Sequence, residues 1–491
     1  MSALVRTFTT PEETTAFAKA MAPFLVAGDV VLLKGNLGAG KSHFVRALIK
    51  ALGSRQEHIP SPTFTLIQNY DDTRLPVAHV DLYRLNDASE VHELHLDSFM
   101  THGILLVEWP ERVPDLFPSR VLLVTIEDMG GDTRKFTFDG DAAWQRRLAF
   151  FAPELRRPVS DKSREAYVQS LTGKKGAVIT PVSADASFRS YWRVRMEDGM
   201  RVLMDAPPPL EDIKKFVLVD EHLEKIGVHV PHIYEVDEEQ GYAILEDLGD
   251  TTFYAAIQNG ADTRKLYEKA VDVLIHMARN ELAPVGKYTT QMYQDEACLY
   301  TDWYMPTVNE HATHTATRRA YRELWLPLVD KINQTPKTTV HFDYHCQNLM
   351  LIGAKAGEKA VSPGIADVGV LDFQDARIGS VAHDMASLLY DVRFDVPLEL
   401  HDGLMRRLVE GLDGACTMET FTTAVKISGV QNLSRIAGVF TRLAFRDGKK
   451  NYLRYMPRLW RHFDSLVIHP DMKELKKFYE KHTPVNRELS A

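Results

Sequence analysis

Eight residues constrain this chain more than any others: Gly35-Asn36-Leu37-Gly38-Ala39-Gly40-Lys41-Ser42. They fit the pattern GxxxxGK[ST]. A short apolar run, Val30 to Leu33, precedes them and reads as a buried strand. Ser42 to Leu52 reads as a helix that stops at Gly53. A strand that runs through a glycine-rich loop into a helix is a phosphate cradle. The glycines admit backbone N–H groups close to phosphate oxygens, where a Cβ would intrude. The helix N-terminus adds partial positive charge. Lys41 is placed for the β- and γ-phosphates and Ser42 for Mg²⁺, so all eight residues are candidate nucleotide contacts.

Such a loop needs a second group to hold metal or orient water. Two acids close apolar strands: Asp81 in His79-Val80-Asp81-Leu82-Tyr83-Arg84, and Glu108 in Leu105-Leu106-Val107-Glu108-Trp109-Pro110. Further strand candidates are Thr63–Tyr70, Val121–Ile126 and Lys135–Phe138. Together they predict a compact α/β domain over residues 1–150 with a largely buried sheet. Residues 151–162, with Pro153, Pro158 and paired arginines, read as a linker.

A second unit begins near Ser163. Val178–Val182, Tyr191–Met196, Arg201–Met204 and Tyr242–Leu245 read as strands, and helical patterns dominate from Leu266. His341-Phe342-Asp343-Tyr344-His345-Cys346-Gln347-Asn348 has the form HxDxxxxN, followed downstream by Leu371-Asp372-Phe373-Gln374-Asp375. A kinase needs an acid to accept the proton of the attacking hydroxyl, and an amide and a second acid to hold Mg²⁺ against the phosphates. Asp343 is the candidate base; Asn348 and Asp372 are candidate metal ligands. A metal-hydrolase reading would use His341, His345 and His383 with the aspartates, but leaves Asn348 and Asp372 without roles.

At Gly35–Ser42, Ser61-Pro62-Thr63-Phe64-Thr65, Asp81-Leu82-Tyr83-Arg84 and Glu108-Trp109-Pro110 the chain resembles the TsaE family. That family is the P-loop ATPase subunit of the machinery that makes threonylcarbamoyladenosine in tRNA. The resemblance runs through about residues 5–145. It implies ATPase activity with TsaB-like and TsaD-like partners. It also implies Mg²⁺ at Ser42 and Glu108, an active centre including Asp81 and Trp109, a switch-like segment at Thr63, and a late nucleotide contact near Arg134. The motif alone equally permits a small-molecule kinase.

Residues Asp185 to Val194, Met204-Asp205-Ala206-Pro207-Pro208, Leu371 to Ala376 and His383-Asp384-Met385-Ala386 resemble the aminoglycoside phosphotransferase-like kinases. Within them they resemble the AmgK branch, which phosphorylates the anomeric hydroxyl of N-acetylmuramic acid and N-acetylglucosamine in peptidoglycan recycling. The resemblance covers about residues 163–480, and the unit is expected to divide into a small lobe (163–250) and a large lobe (251–491). It implies ATP and Mg²⁺ as cofactors and a hairpin over the nucleotide at Ser187, Phe188 and Arg189. It also implies a hinge at Glu246 and Leu248 that meets the adenine edge. Protein kinases carry a lysine on the third small-lobe strand; Arg201-Val202-Leu203-Met204-Asp205 has none. A pseudokinase is therefore an alternative, and Arg189 is the candidate to compensate. Trp303, Arg435 and Arg442 are candidate sugar contacts, weighed against core packing and surface solvation.

The expected architecture is an α/β P-loop NTPase domain followed by a bilobal, protein-kinase-like (α+β) phosphotransferase domain. Fifty-eight Lys and Arg against 67 Asp and Glu give −9, so tRNA is expected to be met only indirectly, through partner proteins. Three scattered cysteines exclude a disulfide framework. No apolar run or leader is read as a membrane span or signal, so the expected location is the cytoplasm. Two other readings stay open: a kinase of an aminoglycoside, choline or another amino alcohol, and an N-terminal domain that serves as a nucleotide-regulated binding module.

Overall fold

The computed structural model describes residues 3–85, 88–117, 121–173, 178–184, 188–353 and 365–489. The chain divides into two compact units, residues 1–157 with 305–320, and residues 158–304 with 321–491.

The first unit is built on strands β1 (Leu4–Phe8), β2 (Asp29–Lys34), β3 (Ile67–Tyr70), β4 (Val77–Asp81), β5 (Ile104–Glu108), β6 (Val121–Asp128) and β7 (Arg134–Asp139). They form one sheet in the order β1-β7-β6-β2-β5-β4-β3. The centre is parallel, β2 lying between β5 and β6 and β4 beside β5. The outer pairs are antiparallel. Every residue of β4 and β5 is buried, as central parallel strands require, and apart from His79 and the closing acids both are apolar. The helix Lys41–Ala51 drives Phe44, Val45, Leu48 and Ile49 into the same core as Phe136 and Phe138. Each such side chain contributes roughly 1.5–3 kcal/mol through its burial.

Two local differences from the sequence reading have physical causes. Strand β1 went unpredicted because only its end residues, Leu4 and Phe8, are buried, so no two-residue period appears. Of Thr63–Tyr70, only Ile67–Tyr70 is strand. Leu66 takes φ 63°, and its N–H bonds to Pro62 O, so Thr63 turns back toward β4.

The second unit opens with the helix Asp161–Thr172, capped by Ser160. It packs Tyr167 on Tyr242 with ring centroids 4.6 Å apart. The small lobe is an antiparallel sheet of β8 (Ile179–Ala184), β9 (Ser190–Met196), β10 (Gly199–Asp205), β11 (Ile233–Asp237) and β12 (Tyr242–Glu246), in the order β11-β12-β10-β9-β8. The helix Ile213–Lys225 lies between β10 and β11 in sequence, and Phe216 on it stacks on Phe373 at 5.0 Å. The large lobe is helical. Two short hairpin-like pairs interrupt it: β13 (Lys337–Val340) with β16 (Arg377–Ser380), and β14 (Leu349–Leu351) with β15 (Val368–Val370). They carry the two acidic motifs at their ends. The helix Met418–Phe445 runs through the lobe with 16 of its residues buried, polar Ser428, Gln431, Asn432, Ser434 and Thr441 among them. No helix among the described residues is long and apolar enough to cross a membrane.

Candidate active sites

In the first unit the cradle forms as the strand–loop–helix pattern requires. Gly35, Gly38 and Gly40 take φ of 152°, 81° and 105°. At Gly35 a Cβ would stand 2.6 Å from Ile126 O, so only glycine fits. Gly38, Gly40, Lys41, Ser42, Asp81, Glu108 and Trp109 line one pocket with Leu37, Ala39, Ser61, Thr63 and Tyr83. Gly35 and Asn36 contribute differently: their carbonyls accept from Lys41 Nζ at 2.6 and 3.0 Å.

The register of β4 and β5 pairs Asp81 with Glu108, so two distant acids meet at one sheet edge. Ser42 Oγ donates to Glu108 Oε2 at 2.9 Å. A hydroxyl and a carboxylate at that spacing are hard oxygen donors suited to Mg²⁺. Glu108 Oε1 is 2.9 Å from Nε2 of the fully buried His79. Asp81 Oδ2 accepts from Thr63 Oγ1 at 2.8 Å and Ser61 Oγ at 3.1 Å. Trp109 adopts φ 62°, a costly conformation for a bulky residue. It lays its ring 3.7 Å from Lys41 Nζ. Burial lowers the Lys41 pKa, opposed by Glu108, Glu111 and Asp81. Arg134 is engaged elsewhere, with Gly131 O, Thr133 O and Asp128, and is not among the pocket-lining residues.

In the second unit the catalytic loop is clamped from below. Asp384, wholly buried on the helix Val381–Leu389, accepts the N–H groups of His341 at 2.7 Å and Phe342 at 3.0 Å. Burial pushes its pKa up to about 6. Those bonds hold Phe342 at φ 78°, and that turn presents Asp343. His341 Nδ1 accepts from Asp343 N at 3.3 Å, while Nε2 meets Leu371 O at 2.8 Å. A carbonyl only accepts, so Nε2 carries the proton. Both ring nitrogens are thus occupied by the backbone. Among the described residues, no cluster of three or more His, Cys, Asp or Glu side chains is arranged to hold a metal ion.

Asn348 Nδ2 donates to Asp343 O at 2.9 Å, and Leu371 N donates to Asn348 O. The amide and the Asp372 loop are therefore tied together. Asp372 itself sits at φ 65°. Burial raises the Asp372 pKa against the pull of Arg189. For Asp343, burial raises the pKa, but Arg435, His345, Arg393 and His341 outweigh it, and the net shift is downward. Asp343 is thus ready to exist as a carboxylate.

Arg189 is buried, with Nη2 3.0 Å from Asp372 Oδ1 and Nε 3.4 Å from Glu211 Oε2. Its Nη1 is buried with no hydrogen-bond partner among the described residues. Phe188 is partly exposed and anchors its N–H on Glu211. Ser187 lies outside the described residues. At the hinge, Glu246 pairs with His232 N and His229, and Leu248 packs against Gly369 of β15. Arg193 of β9 forks onto Asp247 with bonds of 2.7 and 3.0 Å, a strut between sheet and hinge that no motif announced. His79 and Glu296 were missed as well. His79 had a faint signal, a polar residue two before Asp81 in an apolar strand and so on the same face.

Residues 8–136 match the model of the threonylcarbamoyl adenosine biosynthesis protein TsaE, and residues 178–416 match that of the phosphotransferase enzyme family. The N-acetylmuramate/N-acetylglucosamine kinase of Pseudomonas aeruginosa is 34% identical over 306 residues, covering 61% of this chain and 87% of the relative. The kinase of the same name from Pseudomonas putida is 32% identical over 304 residues, covering 60% and 86%. The tRNA threonylcarbamoyladenosine biosynthesis protein TsaE of Bacillus subtilis is 43% identical over 148 residues, covering 30% of this chain and 90% of the relative. With a phosphate cradle in one unit and a clamped HxDxxxxN loop in the other, the chain belongs to two families in series, TsaE and then the phosphotransferase enzyme family.

Proposed function

We propose that the chain is bifunctional: an ATPase subunit of tRNA threonylcarbamoyladenosine synthesis, and an ATP-dependent anomeric kinase of N-acetylmuramic acid and N-acetylglucosamine. The observation that carries the kinase reading is the clamp on Asp343. Two backbone bonds to buried Asp384 hold the strained turn that points the carboxylate out, beside the amide and acid of Asn348 and Asp372. Asp343 accepts the proton of the anomeric hydroxyl as its oxygen bonds to the γ-phosphorus. The bond from that phosphorus to the β-phosphate oxygen breaks, leaving a sugar 1-phosphate and ADP. Asn348 and Asp372 would hold Mg²⁺, which when bound neutralises the charge developing on the phosphates. Replacement of Asp343 by Asn is expected to lower kcat for sugar 1-phosphate formation by about 10²- to 10⁴-fold. Phosphoryl transfer near the wild-type rate would remove Asp343 as the base.

In the first unit Gly35 to Ser42 bind ATP, Ser42 and Glu108 hold Mg²⁺, and Asp81, Glu108 and Trp109 form the hydrolytic centre. The partners are TsaB-like and TsaD-like proteins, tRNA being reached through them, and the site of action is the cytoplasm. Support comes from the pairing of Asp81 and Glu108 at the mouth of the cradle and from the relatives' names. ATP hydrolysis measured on the full chain, alone and with the two partners added, tests it. No hydrolysis in either condition would leave a nucleotide-regulated docking module.

A further inference from the structure

Beside the catalytic loop stands an arginine that the phosphoryl-transfer chemistry does not use. Arg435 projects from the helix Met418–Phe445, and its Nη1 lies 3.8 Å from Asp343 Oδ1. That is too long for a hydrogen bond, so the pair interacts by charge across a gap. The rest of the guanidinium is fixed. Nη1 donates to Asn432 Oδ1 at 3.2 Å, and Nε faces Glu296 Oε2 at 3.5 Å. Glu296 is itself taken by Tyr288 OH at 2.6 Å, and Gln431 donates to that hydroxyl. Nη2 makes no hydrogen bond among the described residues, and the side chain keeps 22% of its surface open. The result is an immobilised guanidinium edge with free N–H groups, next to the carboxylate that takes the acceptor's proton.

We propose that Arg435 is a specificity-determining residue: its free edge donates to oxygens of the acceptor beside the attacking hydroxyl, and selects neutral or anionic hydroxyl acceptors over cationic amino ones. The attacking oxygen must come within hydrogen-bond reach of Asp343, which brings its neighbouring substituents to the guanidinium. Arginine has donors only. It satisfies hydroxyl, acetyl carbonyl and carboxylate oxygens, and it repels an ammonium. The surrounding charge does not restore a cation site. Three acids act on Arg435, namely Asp343, Glu296 and Asp375. Arg393 beside Asp343 and Arg377 beside Glu296 join Arg435 in offsetting them, so the acids leave no large surplus of negative charge. A kinase of cationic acceptors would present uncompensated acids here. This inference rests on the kinase reading above.

The test compares N-acetylglucosamine with glucosamine on the full chain, at a pH where the glucosamine amine is protonated. The two differ at the nitrogen, neutral in one and charged in the other. Substitution Arg435→Gln is expected to cut kcat/KM for N-acetylglucosamine by about tenfold or more, mainly through KM, and to narrow the preference over glucosamine by about fivefold or more. Arg435→Lys is expected to keep the preference while recovering part of the rate. The ratio is read within each variant, so a loss of folded protein does not move it. An equal fall on both acceptors, or kinetics like wild type, overturns the proposal. A wild-type chain that phosphorylates neither N-acetylglucosamine nor N-acetylmuramic acid overturns the kinase reading instead, and the inference falls with it.

Discussion

Arg189 is the candidate to supply the charge that a third-strand lysine supplies in protein kinases. Strand β10 offers no lysine, and Arg189 stands immediately before the neighbouring strand β9. The Arg189 guanidinium reaches both Asp372 and Glu211, and its buried Nη1 has no hydrogen-bond partner among the described residues. A buried donor without a partner is costly, of the order of 1–3 kcal/mol, and an incoming phosphate oxygen would relieve it. Substitution Arg189→Ala is therefore expected to raise the ATP KM, lower kcat, or both, by about tenfold or more. Steady-state kinetics with ATP varied checks this, and unchanged constants would assign the lysine's role to another group. The sequence made Asp343, Asn348 and Asp372 legible because their order and spacing carry the chemistry. The sequence does not single out Glu296 and marks Arg435 only as a candidate sugar contact, because both stand far from the motif. Only the folding of two helices against the catalytic loop brings them to Asp343.

At the scale of elements, two helices make opposite demands on their smallest and most polar residues. Gly438 sits in the middle of the helix Met418–Phe445, where alanine normally gains about 1 kcal/mol. Here a Cβ would lie 2.2 Å from Leu299 O, a backbone atom that cannot turn away. Overpacking wins, and Gly438→Ala is expected to destabilise the second unit by about 1–3 kcal/mol in denaturant unfolding. On the helix Ile213–Lys225, Asp220 is 1% exposed, and neither carboxylate oxygen has a hydrogen-bond partner among the described residues. Burial, reinforced by Glu224 and Glu221, pushes its pKa from 3.8 up to about 8. The folded chain thus keeps a proton that the unfolded chain releases near pH 4, and stability falls as pH rises through that window. Substitution Asp220→Asn removes the dependence. Its stability advantage over wild type is expected to grow from pH 5 to pH 8 to a few kcal/mol, read from urea midpoints at each pH. An advantage constant with pH would mean that Asp220 does not titrate in this window.

For the molecule as a whole, the two units carry separate phosphate chemistries on unrelated scaffolds. In one, a parallel sheet edge delivers Asp81 and Glu108 to a glycine loop; in the other, a clamped loop delivers Asp343. The described residues of each site belong to one unit. Substitution Lys41→Ala is accordingly expected to abolish ATP hydrolysis by the first unit while leaving the sugar kinase KM for ATP within about twofold of wild type. Acceptor-dependent and acceptor-independent ADP release, measured on the same full-length variant, separates the two. A kinase defect in Lys41→Ala would demonstrate coupling between them.

By itself the amino-acid order determined the chemistry-bearing loops, most strands around them and the two-family composition. Those properties are local: glycines at fixed offsets, acids at the ends of apolar runs, an amide five residues after an aspartate. Three matters were decided only in three dimensions. Sheet register set Asp81 opposite Glu108, with His79 behind it. Lobe packing set Arg189 on Asp372, and the long helix set Arg435 beside Asp343. Each joins residues 27 to 183 positions apart, and such partners leave no local pattern, because charge and packing act through space while periodicity acts along the chain.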